Sequence, residues 1–203
     1  MEKSYNVFLL YKSILKPIEF VQSINRVNSF LLLLPIMIGS SVMAILNFYI
    51  HSDQIHTFTS LNFEKISCII VGVIGAIAPL FTIMGYFCFY YVVSLFLVIE
   101  SEKLKRSIFF ISTISYTPIL FASLLNVLLN IFFEYRPTGF TNLTFLSIDF
   151  PNMTAIFAEI DIFKIISAFL LGYLFTVTFS REKIEAVIYP VTWVVLNVLV
   201  ALI

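Results

Sequence analysis

The sequence predicts an all-α integral membrane protein: a bundle of five transmembrane helices preceded by an amphipathic N-terminal segment at the membrane interface. The main observation is that residues 66–99 form 34 consecutive positions without a charge, bounded by Glu64 and Lys65 on one side and Glu100 on the other. As one helix, this stretch would be roughly 50 Å long, whereas the hydrocarbon core of a bilayer is about 30 Å thick. No soluble domain needs such an element.

The composition of the whole chain supports the same class. Hydrophobic residues make up 60% of the chain, charged residues only 12%, and the mean hydropathy is +1.01. A soluble domain carries about 25% charged residues. The net charge is zero, with 12 basic and 12 acidic residues, which argues against nucleic acid as a partner because phosphate binding needs a basic excess.

The chain 1–203 is predicted to form one transmembrane domain. Its five spans cover about residues 30–50, 66–99, 108–133, 162–179 and 184–203.

Two details of these spans carry further expectations. The second span is longer than one crossing needs, and we interpret it as a single helix bent around Gly75 and Pro79, although a continuous helix remains open. In the first span, the small residues at positions 39–41 predict close packing of a neighbouring helix.

The segment before the first span is expected to lie at the cytoplasmic interface as short amphipathic helices. Lys12 and Lys16 interrupt its apolar run, so residues 1–28 do not resemble a secretory signal. Pro17 suits the first turn of a helix, and the lysines can reach lipid head groups. The alternative is an ordinary tail that folds against the bundle.

The distribution of basic residues predicts the orientation of the five spans. If the N-terminus is cytoplasmic, the cytoplasmic segments hold nine basic residues: Lys3, Lys12, Lys16, Arg26, Lys103, Lys105, Arg106, Arg181 and Lys183. The opposite loops hold only Lys65, Arg136 and Lys164. By the positive-inside rule, the N-terminus is therefore cytoplasmic and the C-terminus lies outside.

The sequence offers few groups for catalysis or metal binding. His51, Asp53 and His56 share one loop but lack the spacing of an ordered metal site, so we interpret them as solvated. Cys68 and Cys88 have no histidine at membrane depth to serve as a base. The interiors of the spans contain no carboxylate. We therefore expect a protein that is not an enzyme and has no metal, cofactor or catalytic residue.

Uncharged polar residues within the spans form a possible helix-packing or partner-binding seam. Asn126 and Asn130 lie one helical turn apart and share a face with Ser123. Such groups form hydrogen bonds between helices in lipid. The seam residues are Ser115, Tyr116, Pro118, Ser123, Asn126, Asn130, Tyr189 and Asn197. An aromatic cluster in the second span is expected mainly to pack in the core: Tyr86, Phe87, Phe89, Tyr90 and Tyr91.

Two segments resemble motifs of the Yip1 family of multi-pass membrane proteins. Residues 16–24 (KPIEFVQSI) resemble its lead-in to the first span, and residues 114–120 (ISYTPIL) resemble its Tyr-Pro segment in the third. Pro17, Tyr116 and Pro118 match the motif positions. The chain lacks the long N-terminal domain of eukaryotic members and has an unusual loop at 134–160, so it is more similar to shorter bacterial members.

The resemblance implies a protein without catalytic activity. Eukaryotic members of the family are linked to Rab proteins and vesicle traffic, and some bacterial members accompany ABC exporters. We therefore expect a scaffold or accessory subunit in a bacterial cell membrane, or in a Golgi or ER membrane if the source is eukaryotic. Its partners would be the lipid bilayer and another membrane protein or further copies of itself. The alternative is a small transporter or permease subunit for an apolar or peptide substrate.

Overall fold

A computed structural model of the chain describes residues 29–52, 61–99, 103–133, 136, 139–148 and 153–202. Within these ranges the chain is all-helical and contains no strand, apart from one isolated antiparallel bridge between Asn142 and Asp161. The expected interfacial segment before residue 29 lies outside the described residues, as do Asp53 and His56.

The described residues form seven α-helices and one 3-10 helix. The α-helices are α1 (Ser29–Ser52), α2 (Leu61–Phe96), α3 (Leu104–Ser115), α4 (Thr117–Phe132), α5 (Thr154–Glu159), α6 (Ile162–Thr178) and α7 (Glu185–Val200). The 3-10 helix, Leu143–Ile148, lies between α4 and α5.

Three segments are long and apolar enough to cross a membrane: Leu31–His51, Lys65–Phe96 and Leu104–Phe132. The helices α6 and α7 are also apolar but shorter, with 17 and 16 residues. Large apolar side chains on the outside of the bundle are widely exposed, as expected of a lipid-facing surface.

The second predicted span is one uninterrupted helix. α2 has 36 residues and runs through Gly75 and Pro79 without a break. It begins before the uncharged stretch and includes Glu64 and Lys65 in its first turns.

The third predicted span, 108–133, lies within Leu104–Phe132, which is long and apolar enough to cross a membrane, but its helical hydrogen bonding is interrupted once, at Tyr116. α3 ends at Ser115, Tyr116 lies between the helices, and α4 begins at Thr117. The physical reason is Pro118 at the start of α4. A proline has no backbone N–H, and its ring clashes with the carbonyl four residues earlier in a continuous helix.

The first two helices pack closely as an antiparallel pair. Gly75 lies against Ala44, so that a Cβ atom added at Gly75 would come within 2.5 Å of the Ala44 Cβ. The Ser41 hydroxyl donates a 2.8 Å hydrogen bond to the Gly72 carbonyl, a contact that only a short distance between the backbones permits. The close packing expected at residues 39–41 is therefore confirmed.

The α3–α4 segment occupies the centre of the bundle. Half of the residues in its most apolar stretch are buried, compared with 17% of those in α1 and 22% of those in α2. It packs against α1, α2 and α6. α6 and α7 form a second antiparallel pair on one side, where a Cβ atom at Gly172 would come within 2.3 Å of the Pro190 ring.

Candidate functional site

Several polar groups lie at the break between α3 and α4, within the buried core. Pro118 has no backbone N–H and cannot donate a hydrogen bond to the Ile114 carbonyl. That carbonyl accepts a 2.7 Å hydrogen bond from the Thr117 hydroxyl instead. The backbone N–H of Ile119 donates to the Tyr116 carbonyl at 3.0 Å instead of to the Ser115 carbonyl. Side chains thus replace helical hydrogen bonds where the helix is interrupted, as is common in membranes.

Ser167 of the neighbouring helix α6 completes this arrangement. It is fully buried, and its hydroxyl donates to the Ser115 carbonyl. The Ser167 oxygen also lies 2.8 Å from the Tyr86 hydroxyl of α2. Three helices therefore meet at one serine. By contrast, the Ser115 hydroxyl itself is buried without a hydrogen-bond partner among the described residues.

The two asparagines of the predicted seam bind other parts of the same chain. The Asn126 side chain accepts a 2.8 Å hydrogen bond from the Phe140 N–H and donates at 3.2 Å to the Thr141 hydroxyl. Asn130 is buried, and its side chain donates to the side-chain oxygen (Oδ1) of Asn47 on α1 at 3.2 Å while accepting from the Arg136 N–H at 3.0 Å. Both amides fasten neighbouring segments to α4.

The contacts of three other seam residues differ from those of the asparagines, or lie elsewhere in the bundle. Ser123 donates to the Ile119 carbonyl of its own helix at 3.1 Å. On α7, the Asn197 amide donates to the Trp193 carbonyl at 2.8 Å. Tyr189, also on α7, lies against the aromatic core at the opposite end of the helix from Asn197.

The aromatic cluster of α2 packs inside the bundle, which confirms the core-packing interpretation for its two buried tyrosines. Tyr86 and Tyr90 are both almost completely buried. The Tyr86 ring lies 5.3 Å from the Trp193 ring of α7, and the Tyr90 ring lies 4.9 Å from the Phe175 ring of α6. Edge and tilted contacts of this kind favour a fixed helix arrangement.

A cleft opens between the helices beside the first half of α4, where α6 begins. It consists of two neighbouring cavities of about 260 and 280 Å³. Both are lined by Ile119, Glu159 and Lys164, so they meet at these residues. The first cavity continues between α2, α6 and α7, and it is lined further by Thr82, Tyr86, Ile165, Trp193, Val194 and Asn197. The second is lined further by Ala122, Ser123, Asn126, Asn142, Ala158 and Asp161.

An ion pair lies where the two cavities meet. The Lys164 ammonium is 2.9 Å from a Glu159 carboxylate oxygen, and the side chains are 42% and 33% exposed. Asp161, between them in sequence, is buried and caps α6 by accepting from the N–H groups of Phe163 and Lys164 at 2.7 and 3.2 Å. Its other carboxylate oxygen accepts from the Thr141 hydroxyl.

Residues 142–144, beside the cleft, form hydrogen bonds with one another. The Asn142 side chain is buried and accepts from both the N–H and the hydroxyl of Thr144, at 3.1 and 2.5 Å. Asn142 is the first residue of an Asn-Leu-Thr glycosylation acceptor pattern. In this conformation, its side chain is engaged and not presented at the surface.

The sequence did not single out the residues that contribute most to this region. Ser167 is one hydroxyl in an apolar run, and such residues are common in membrane helices. Glu159, Asp161 and Lys164 lie at the junction of a long loop and a short span. A signal for Asp161 was nevertheless available, because an aspartate directly before an apolar run is a typical N-cap.

In the described part of the chain, no three His, Cys, Asp or Glu side chains lie together as a group that could hold a metal ion. Cys68 and Cys88 are not joined by a disulfide. Comparisons with family models, with curated proteins and with solved structures return no match for this chain.

Proposed function

We propose that this chain is a non-enzymatic membrane protein that serves as a scaffold or accessory subunit for another membrane protein. The resemblance of segments 16–24 and 114–120 to the Yip1 family supports such a role, in partnership with an ABC exporter or with trafficking machinery. The apolar outer surface of the bundle supports a location in the membrane.

The observation that carries this proposal is how the central helices use their polar groups. A permeation path needs polar side chains that face an open route through the protein. The amides of Asn126 and Asn130 instead bind Phe140, Thr141, Asn47 and Arg136 of the same chain. The α3–α4 segment thus acts as the spine of the bundle, and the less buried helices α1 and α2 remain to contact a partner.

The proposed arrangement has five spans, with α6 and α7 as the fourth and fifth. At 1.5 Å per residue these two helices are only about 24 to 26 Å long, so the flanking polar residues or local thinning of the bilayer must accommodate the difference. The turn between them carries Arg181 and Lys183, which the positive-inside rule assigns to the cytoplasm together with Lys103, Lys105 and Arg106.

Accessibility labelling tests this orientation. After replacing Cys68 and Cys88 with alanine, single cysteines would be introduced at the exposed positions Lys105, Lys183 and Met153. A membrane-impermeant thiol reagent applied from outside should label Met153→Cys and should label the other two only after permeabilisation. Labelling of Lys105→Cys and Lys183→Cys from opposite sides would contradict the five-span arrangement.

Photocrosslinking in the native membrane tests the accessory role. A photoreactive phenylalanine analogue at Phe81, which is 74% exposed on α2, should form an adduct with a second membrane protein. The matched control places the analogue at the buried Phe110 and should give no such adduct. If scanning the exposed positions of all helices yields adducts with lipid or with this chain alone, the accessory role is wrong.

The transporter alternative is favoured by a single observation, the cleft lined by Thr82, Tyr86 and Asn197. If the cleft were a substrate route, Asn197→Leu should abolish flux of an apolar or peptide substrate while protein levels stay unchanged. Unchanged flux would eliminate this alternative.

A further inference from the structure

The cleft beside the first half of α4 has two chemically different parts. Its mouth holds the Glu159–Lys164 ion pair. Its other part, between α2, α6 and α7, is lined by the apolar side chains of Ile165, Val194 and Trp193 and by the polar side chains of Thr82 and Asn197. The Tyr86 ring lies 5.3 Å from the indole. A charged mouth beside a partly apolar cavity can bind an amphiphile, with its chain against the apolar side chains and its head group at the rim.

In a membrane, the apolar side chains of the cavity select little by themselves. A lipid chain is already in surroundings as apolar as leucine, so moving it from the bilayer into the cleft contributes little free energy. Selectivity must therefore come from the head group. Charge-assisted hydrogen bonds are the strongest contacts that such a group can make with the protein.

Among the described residues that line the cleft, Lys164 and Glu159 place one cation and one anion at its rim. Asp161 is close by, but its carboxylate is engaged by Thr141 and by the N–H groups of Phe163 and Lys164. The Lys164 ammonium has three N–H donors, and its 2.9 Å contact with Glu159 uses one of them, so a phosphate can bind Lys164 without breaking the ion pair. A purely anionic head group would then place its charge beside the Glu159 carboxylate, whereas a head group with both an ammonium and a phosphate also supplies a cation for Glu159.

We propose that this cleft binds a zwitterionic phospholipid of the ethanolamine type. One acyl chain lies between α2, α6 and α7, the phosphate binds Lys164, and the ammonium binds Glu159. This site is independent of the accessory role, because the cleft is built from α2, α4, α5, α6 and α7 of one chain.

Native mass spectrometry of the delipidated protein in mild detergent tests the proposal. The protein would be titrated with phosphatidylethanolamine, with phosphatidylglycerol and with soluble glycerophosphoethanolamine, which has the head group without chains. We expect one phosphatidylethanolamine to be retained at least about tenfold more tightly than either other ligand. Equal retention of the two lipids, or equally tight binding of the soluble head group, would overturn the proposal.

Two neighbouring valines of α7 offer a matched pair of variants. Val194 lines the cleft, whereas Val195 is 50% exposed on the outer surface. Val194→Trp should fill the cavity and lower affinity for phosphatidylethanolamine by at least about tenfold, whereas Val195→Trp should leave affinity unchanged. If both variants bind like the original chain, the acyl chain does not occupy this cleft.

A change at the rim tests the head group without filling the cavity. Glu159→Gln removes the anion but keeps the size of the side chain, so an anionic head group at Lys164 no longer lies beside a carboxylate. The preference should shift from phosphatidylethanolamine to phosphatidylglycerol. An unchanged preference in this variant would overturn the assignment, even if Val194→Trp proved unable to fold.

Discussion

The hydroxyl of Ser167 donates a hydrogen bond to the backbone carbonyl of Ser115, on the neighbouring side of the bundle. That carbonyl lies at the interruption between α3 and α4, where the Ile119 N–H donates to the Tyr116 carbonyl and not to the Ser115 carbonyl. The same serine contacts the Tyr86 hydroxyl. One small side chain thus links the central helices to both α2 and α6.

Replacing this serine should therefore weaken the whole bundle. Ser167→Ala removes both contacts inside the core, and we expect the free energy of unfolding to fall by about 1 to 2 kcal/mol. Reversible unfolding in mixed detergent micelles measures this change. The control is Ser123→Ala, which removes only a hydrogen bond within one helix. If the two variants lose the same stability, Ser167 does not have the linking role.

The proline at the break and the threonine before it should depend on one another. In the original chain, Thr117→Val leaves the Ile114 carbonyl without its 2.7 Å partner and should cost about 1 kcal/mol. In a Pro118→Ala background, the backbone N–H at position 118 can donate to the Ile114 carbonyl. Thr117→Val should then lower the free energy of unfolding much less. A double-mutant cycle measures the difference, and equal costs in both backgrounds would contradict the explanation.

The contact between α6 and α7 should not tolerate even one added methyl group. Gly172→Ala would place a Cβ atom 2.3 Å from the Pro190 ring and 2.9 Å from the Ala186 carbonyl oxygen, and we expect a loss of about 1 to 3 kcal/mol. Gly39→Ala is the control, because its Cβ atom would meet only the movable end of Leu120, at 3.3 Å. Thermal unfolding should separate the two variants, and a similar midpoint for both would contradict this packing.

Asn130 should hold the chain after α4 as well as α1. Asn130→Ala removes its bonds to Asn47 and to the Arg136 N–H, so hydrogen exchange should rise in a peptide that covers residue 136. Asn47→Ala removes only the contact with α1 and should raise exchange there much less. Equal protection of residue 136 in both variants would show that the Asn130 carbonyl oxygen does not hold this backbone.

The positions of the apolar helices were predictable because long runs of uncharged, apolar residues mark them in the sequence. The first predicted span, 30–50, corresponds to α1 within two residues, and the fourth, 162–179, to α6 within one. Long uncharged runs have few alternatives in a chain this apolar. The break at Tyr116 was missed, although Pro118 stood in the sequence, because a membrane helix can also continue through a proline, as α2 does at Pro79.

The cleft could not be predicted, because its charged residues are brought together by the folding of an irregular segment. Glu159 ends a six-residue helix, and Lys164 lies in the first turn of α6. Their 2.9 Å contact depends on the turn that Asp161 makes between the two helices. The hydrogen-bond partners of Asn126 could not be predicted for the same reason, because Phe140 and Thr141 belong to a segment without hydrophobic periodicity.

The fit of Gly172 against Pro190 also bears on how α6 and α7 would enter the lipid as the proposed fourth and fifth spans. Neither α6 nor α7 reaches the full hydrocarbon thickness alone, and two isolated short rods would each strain the surrounding bilayer. Because Gly172 has no side chain, the Pro190 ring packs directly on the backbone of α6, and the two helices would insert together as one closely packed hairpin.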